Sequence, residues 1–148
     1  MKISDIAIHQ VPAIEHPMTL HDAAMLMQRT DTGVLPVFEN GRLVGTLSER
    51  DFVLTSADSN VDTRGVWVSD VCNRHPIVCR ENTQLRTALR LMQKNRQSWL
   101  LVSDCEGALK GLLSAMQLID LLLQLVAEDA DGPEPDDVRH IRGGAPPL

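Results

Sequence analysis

The chain repeats itself. Ser4-Asp5-Ile6 returns as Ser69-Asp70-Val71, and Pro12-Ala13-Ile14 as Pro76-Ile77-Val78. Leu20, Ala23, Ala24 and Met27 return as Leu85, Ala88, Leu89 and Met92, each 65 residues on. Gly45 and Ser48 recur 66 residues on as Gly111 and Ser114, after one extra residue near Cys105. A register held over so many positions means one supersecondary unit used twice. Units of this size cannot cover their own apolar faces, so the two copies are expected to pack on each other.

Each copy reads as the same series of elements. A short strand after a proline (Ala13-Ile14; Ile77-Val78-Cys79) precedes a helix with apolar residues at i, i+3, i+4 and i+7, a single stripe for burial. Thr19 is the expected N-cap of the first helix, and Asn82 or Thr83 that of its counterpart. Two strands follow in each copy, Val34 to Phe38 with Arg42 to Leu47, then Trp99 to Ser103 with Ala108 to Leu113. Asn40-Gly41 and Glu106-Gly107 supply the hairpin turns. A last helix begins at Ser48 or Ser114. The fold class is α+β of α/β type: two β-α-β-β-α repeats packed with pseudo-twofold symmetry through their sheets. Repeat 1 spans 1–56, a polar linker 57–66, repeat 2 67–127, and a flexible acidic tail 128–148.

Composition removes several functions. Aromatic residues are 3% of the chain and tyrosine is absent, so base-stacking surfaces for single-stranded nucleic acid are not expected. The tail holds six acids and two arginines, −4 of the formal −6, which leaves the body close to neutral and without a general nucleic-acid-binding charge. Cys72, Cys79 and Cys105 form no paired spacing, and no cysteine joins a histidine in a metal-ligand spacing, so reduced thiols, no metal and a cytoplasmic location are expected. No secretory leader is expected, since Met1-Lys2-Ile3-Ser4-Asp5 is followed by no uninterrupted apolar run. The greasiest run, Leu118 to Val126, is too short to span a bilayer, so no membrane insertion is expected. A Cys–His pair such as His75 with Cys79 lacks an orienting third group, and enzyme activity is not expected.

The residues that carry chemistry sit in Gly41 to Asp51, Gly-Arg-Leu-Val-Gly-Thr-Leu-Ser-Glu-Arg-Asp. A strand runs into a helix at Ser48, with Asp51 in the first helical turn. This puts a hydroxyl, a carboxylate and unpartnered backbone N–H groups at one corner, an arrangement suited to a sugar-phosphate. The same spacing also reads as a capping box, and Ser114-x-x-Gln117 matches that pattern even better. Arg86, Arg90 and Lys94 recur every four residues on one helix face, a solvated basic stripe or a surface for an acidic partner.

This doubled unit resembles a pair of cystathionine-beta-synthase (CBS) domains, the arrangement called a Bateman module. Ser69 to Val78 and Leu35-Pro36-Val37 add to the likeness, which covers about residues 3–125. The resemblance implies an adenine nucleotide or adenosyl ligand (AMP, ADP, ATP or S-adenosylmethionine) held in a cleft between repeats, with no other cofactor. It also implies dimerisation. The family pattern is met by Gly45, Thr46, Leu47, Ser48 and Asp51. On this basis Asp51 holds the ribose, Ser48 the phosphate end, Thr46 and backbone amides the edges, and Arg50 reaches a phosphate. Ala13, Ile14, Leu35 and Pro36 line an adenine slot, although Ile14 and Leu35 also suit a core.

The second copy carries Gln117 where the aspartate belongs. A carboxylate accepts both hydroxyl protons of a cis-diol, whereas an amide offers one acceptor oxygen. A weaker second site is therefore expected from Ser114, Leu112, Val78 and Leu101. The function expected is a stand-alone ligand sensor acting in trans on a protein target that the sequence does not name. The alternative is a ligand-free dimerisation scaffold. Leu118, Ile119, Leu121, Leu122, Leu123, Leu125 and Val126 make the final helix apolar on nearly every side, which places it at a homodimer interface.

Overall fold

The computed structural model describes residues 1–58 and 60–127. The tail expected over 128–148 lies outside the described residues. Residues Met1–Ala115 form one compact unit, and a second begins at Met116.

Two three-stranded sheets form the larger unit. The first orders β1 (Ile14–Glu15), β2 (Val34–Glu39) and β3 (Arg42–Ser48); β1 runs parallel to β2, and β3 antiparallel to it. The second repeats this with β4 (Val78–Arg80), β5 (Trp99–Ser103) and β6 (Leu109–Ser114). Asn40 and Gly41 both take positive φ (50° and 74°), the backbone of a two-residue primed turn whose twist matches the strands it joins. Both hairpins slip register at the same place, between Val37 and Phe38 and between Val102 and Ser103.

Helix α1 (Leu20–Thr30) buries Leu20, Ala23 and Met27. Thr19 Oγ1 accepts the Asp22 N–H at 3.2 Å, the cap expected from sequence. Helix α2 (Glu49–Ser56) follows β3, and a one-turn helix α3 (Val68–Val71) follows the linker. Helix α4 (Leu85–Asn95) buries Ala88 and Met92 and is capped by Gln84 without a side-chain bond. Neither Asn82 nor Thr83 caps it. The reason is topological: the N-terminal segment passes here, with Ile3 N–H donating to the Thr83 carbonyl at 3.0 Å and Leu85 N–H to the Met1 carbonyl at 2.9 Å. Both α1 and α4 end on a left-handed residue, Asp31 and Arg96.

The repeats exchange their lead-in segments. Residues 1–9 run along the second repeat, where Lys2 bridges Gln84 and His9 bridges Leu112. In return, Val66 accepts the Leu20 N–H, Val68 donates to Met18, and Asn73 pairs with Thr46. Val68 lies in one core with Ile14, Leu20, Ala23, Met27, Leu35, Val37 and Leu47 of the first repeat. Each fully buried aliphatic side chain of this kind contributes roughly 1.5–3 kcal/mol. Neither half closes its core alone, so the duplicated unit folds as a pair. The sheets meet through a second cluster, Val34 with Leu101 and Leu112, which completes the pseudo-twofold arrangement.

Helix α5 (Ala115–Ala127) keeps Leu118 buried and leaves Met116, Ile119, Leu122, Leu123, Leu125 and Val126 between 47% and 63% exposed. Among the described residues no helix is long and apolar enough to cross a membrane.

Candidate functional site

The exchange of lead-in segments creates the seam. Thr46 N–H donates to the Asn73 carbonyl and Asn73 N–H to the Thr46 carbonyl, both at 2.9 Å. Leu112 and His9 pair in the same way in the other copy. Such close approach needs the preceding residue to lack a side chain. A Cβ at Gly45 would stand 2.4 Å from the Asn73 carbonyl oxygen, and one at Gly111 2.4 Å from that of His9. The repeated glycines are thus explained by backbone contact, before any ligand is considered.

Beside this seam lies a cleft of about 500 Å³, within the range of small-molecule sites. From the first repeat it is lined by Gly33, Val34, Thr46, Ser48 and the opening turn of α2, Glu49 to Asp51. The second repeat contributes Asn73, the turn Asn95 to Trp99, and Leu112 and Ser114 of β6.

The Ser48 corner is a complete capping box. Asp51 Oδ2 accepts the Ser48 N–H and the Ser48 hydroxyl, both at 2.9 Å, and Ser48 Oγ accepts the Asp51 N–H at 3.2 Å. The Glu49 N–H donates to the Gly33 carbonyl at 2.9 Å. Of the first three N–H groups of α2, those of Glu49 and Asp51 are engaged by Gly33 and Ser48, so the corner offers fewer open donors than expected. Among the described residues both bonds to the Asp51 carboxylate fall on Oδ2. Thr46 is 1% exposed with its backbone engaged by Asn73, so its amide serves the seam and not a ligand edge.

Ala13, Ile14, Leu35 and Pro36, expected to line an adenine slot, do not lie together on one face. Ile14 and Leu35 are fully buried beneath α1, on the opposite face of β2 from Pro36, which pairs with Thr46. Strand residues alternate faces, so Leu35 and Pro36 cannot share one slot, nor can Ala13 and Ile14. Ser114, Leu112, Val78 and Leu101, expected at a second site, do not line one cleft together. Val78, Leu101 and Leu112 make one row across the second sheet. Leu101 is buried between the sheets, and Val78 lines a different groove near the hairpins. Leu112 and Ser114 instead face the same cleft as Asp51. Asn73, Glu49 and the turn Asn95 to Trp99 were not singled out from sequence. The signal available was their position, since Gln97 and Ser98 stand 65 residues beyond Thr32 and Gly33, in the repeat's other helix-to-strand turn.

Four charged residues line the cleft: Glu49, Asp51, Arg50 and Arg96. Cys72 lies beside it, its Sγ 3.1 Å from a Cβ placed on Gly45. Burial raises the Cys72 thiol, Arg74 draws it down, and Glu39 and Asp51 push it up. No cluster of three metal-ligating side chains occurs among the described residues.

The CBS domain profile matches this chain twice, over residues 3–58 and 68–124. The chain belongs to the CBS domain family. CBS domain-containing protein YhcV of Bacillus subtilis is 26% identical over 138 residues, covering 93% of this chain and 95% of YhcV. Other relatives are longer: the chain spans 40% of a Methanocaldococcus jannaschii protein (25% identical over 122 residues) and 22% of the inosine-5'-monophosphate dehydrogenase of Thermoplasma acidophilum (32% over 114). The crystal structure of CBSX2 in complex with AMP matches with a TM-score of 0.71 at 25% identity, covering 84% of this chain and 97% of that one. The CBS domain pair of MJ0100, in complex with 5'-methylthioadenosine and S-adenosyl-L-methionine, shares the fold at 19% identity, with a TM-score of 0.72 and coverage of 84% and 98%.

Proposed function

We propose that this CBS pair is a regulatory module that binds an adenine nucleotide or adenosyl compound in the cleft between its repeats and acts in trans on a protein target. The observation that carries the reading is the composition of the cleft, which joins Ser48, Arg50 and Asp51 of one repeat to Asn95 to Trp99 of the other across the exchanged segments. A ligand bridging both sides favours one packing of the repeats over another, by as much as its affinity for the two packings differs. The bound AMP of CBSX2 supports the ligand class. Asp51 Oδ1 receives the ribose diol, while Arg50 and Arg96 meet the phosphate end.

Calorimetry with AMP, ADP, ATP, S-adenosylmethionine and NADH, repeated on Asp51→Ala, tests this. Heat with at least one ligand, abolished in the variant, is expected. Silence with all five leaves the second reading, a dimerisation scaffold, which the self-contained Ser48–Asp51 capping box favours. In either reading α5 joins two copies through its exposed leucines, and Leu122→Glu with Leu123→Glu is expected to give a monomer on gel filtration.

A further inference from the structure

The charges around the cleft do not suit a polyphosphate. Arg50 and Arg96 are balanced by Asp51 and Glu49, so the four side chains sum to zero. Two of the three leading N–H groups of α2 are already bonded, to Gly33 and to Ser48. A helix terminus binds phosphate through such donors, and each further phosphate needs more donors or cations.

Glu49 is the residue that tips this balance. It is exposed at the first position of α2, and its carboxylate lies over Gly33, where a Cβ would stand 3.3 Å from Glu49 Cδ and 3.4 Å from Oε2. Among the described residues the salt bridges are Arg74 with Glu39 and Lys110 with Glu81, and neither neutralises Glu49. The corresponding position of the second repeat is Ala115, whose N–H makes the same bond, to the Ser98 carbonyl at 2.7 Å. The turn therefore closes without an acid, and the acid at 49 is not required by the fold.

Building on the adenosyl reading above, we infer that the cleft selects adenosyl ligands of low negative charge, namely nucleosides, monophosphates and sulfonium conjugates. It turns away di- and triphosphates, and Glu49 sets that limit by facing the path of the second and third phosphates.

The test is a calorimetric series on the full chain with adenosine, AMP, ADP, ATP and S-adenosylmethionine, at fixed ionic strength with EDTA present, for wild type and Glu49→Gln. Affinity is expected to fall about fivefold with each phosphate after the first, the size of one like-charge contact near water. Glu49→Gln is expected to narrow the AMP-to-ATP ratio by a similar factor. ATP binding as tightly as AMP, or a ratio unmoved by Glu49→Gln, overturns the inference while leaving the adenosyl site standing. If none of the five ligands binds, the adenosyl site itself falls, and this inference with it.

Discussion

Ser48 and Asp51 hold each other through three hydrogen bonds, two of them converging on a single carboxylate oxygen. One pair of residues thereby starts α2 and fixes the orientation of an acid at the seam between repeats. The cap and the proposed ribose contact use different oxygens, so they are separable by mutation. Ser48→Ala is expected to cost about 0.5–2 kcal/mol of stability, the usual loss for a serine cap. In urea titrations Asp51→Asn is expected to fall in a similar range, because its amide keeps one acceptor. Adenosyl affinity should separate them, falling tenfold or more in Asp51→Asn and less in Ser48→Ala.

Gly45 and Gly111 answer to the opposite repeat's backbone. Gly45→Ala and Gly111→Ala each force a methyl group against a carbonyl oxygen that belongs to the exchanged segment. Each is expected to destabilise the chain by about 2–3 kcal/mol, in the upper range for overpacking. Gly65→Ala is the control, since a Cβ there meets nothing within 4 Å. Equal midpoints for all three variants in thermal melts would mean that the seam opens without cost.

Ile3 is fully buried, yet its segment bonds to the second repeat. Truncation to alanine is expected to cost about 2–5 kcal/mol, as for other buried isoleucines. Hydrogen exchange gives the sharper result. Protection should fall first at Glu81 to Ala88, the far repeat, and later in β2 and β3. Loss confined to the first repeat would contradict the exchange.

The thiols provide a pH test. Burial raises Cys79, and burial is also the largest cause of the rise at Cys72. The folded chain therefore keeps these protons to higher pH than the unfolded chain. Their contribution is complete below the ordinary thiol range of about 8.5 and is lost as pH rises above it. Denaturation midpoints should fall between pH 8 and pH 10, less steeply in Cys79→Ala. At pH 8, alkylation should label the exposed Cys105 first.

Much of the fold was legible from the repeat itself, because apolar spacing marks which face of an element is buried. Thr19, the strand pairs and the Asn40-Gly41 turn follow from local rules alone. The partner of each buried face does not. Ser4-Asp5-Ile6 and Ser69-Asp70-Val71 look alike whichever sheet they join, so the exchange of segments left no trace in sequence, and the cap expected at Asn82 or Thr83 failed for that reason. The candidate site was legible at the corner, where Ser48, Arg50 and Asp51 do face a cleft. Leu35 and Pro36 do not line one face together, because adjacent strand residues face opposite ways. The contribution of Asn95 to Trp99 depends on tertiary contact, which no local pattern encodes.

Backbone amide shifts recorded during an AMP titration test the central claim most directly. Changes are expected to cluster at Arg50 to Phe52 and at Asn95 to Trp99, on both sides of one cleft, and to vanish in Asp51→Ala. Shifts confined to one repeat, shifts centred on the hairpins at Gly41 and Gly107, or a spectrum unmoved by AMP would contradict it.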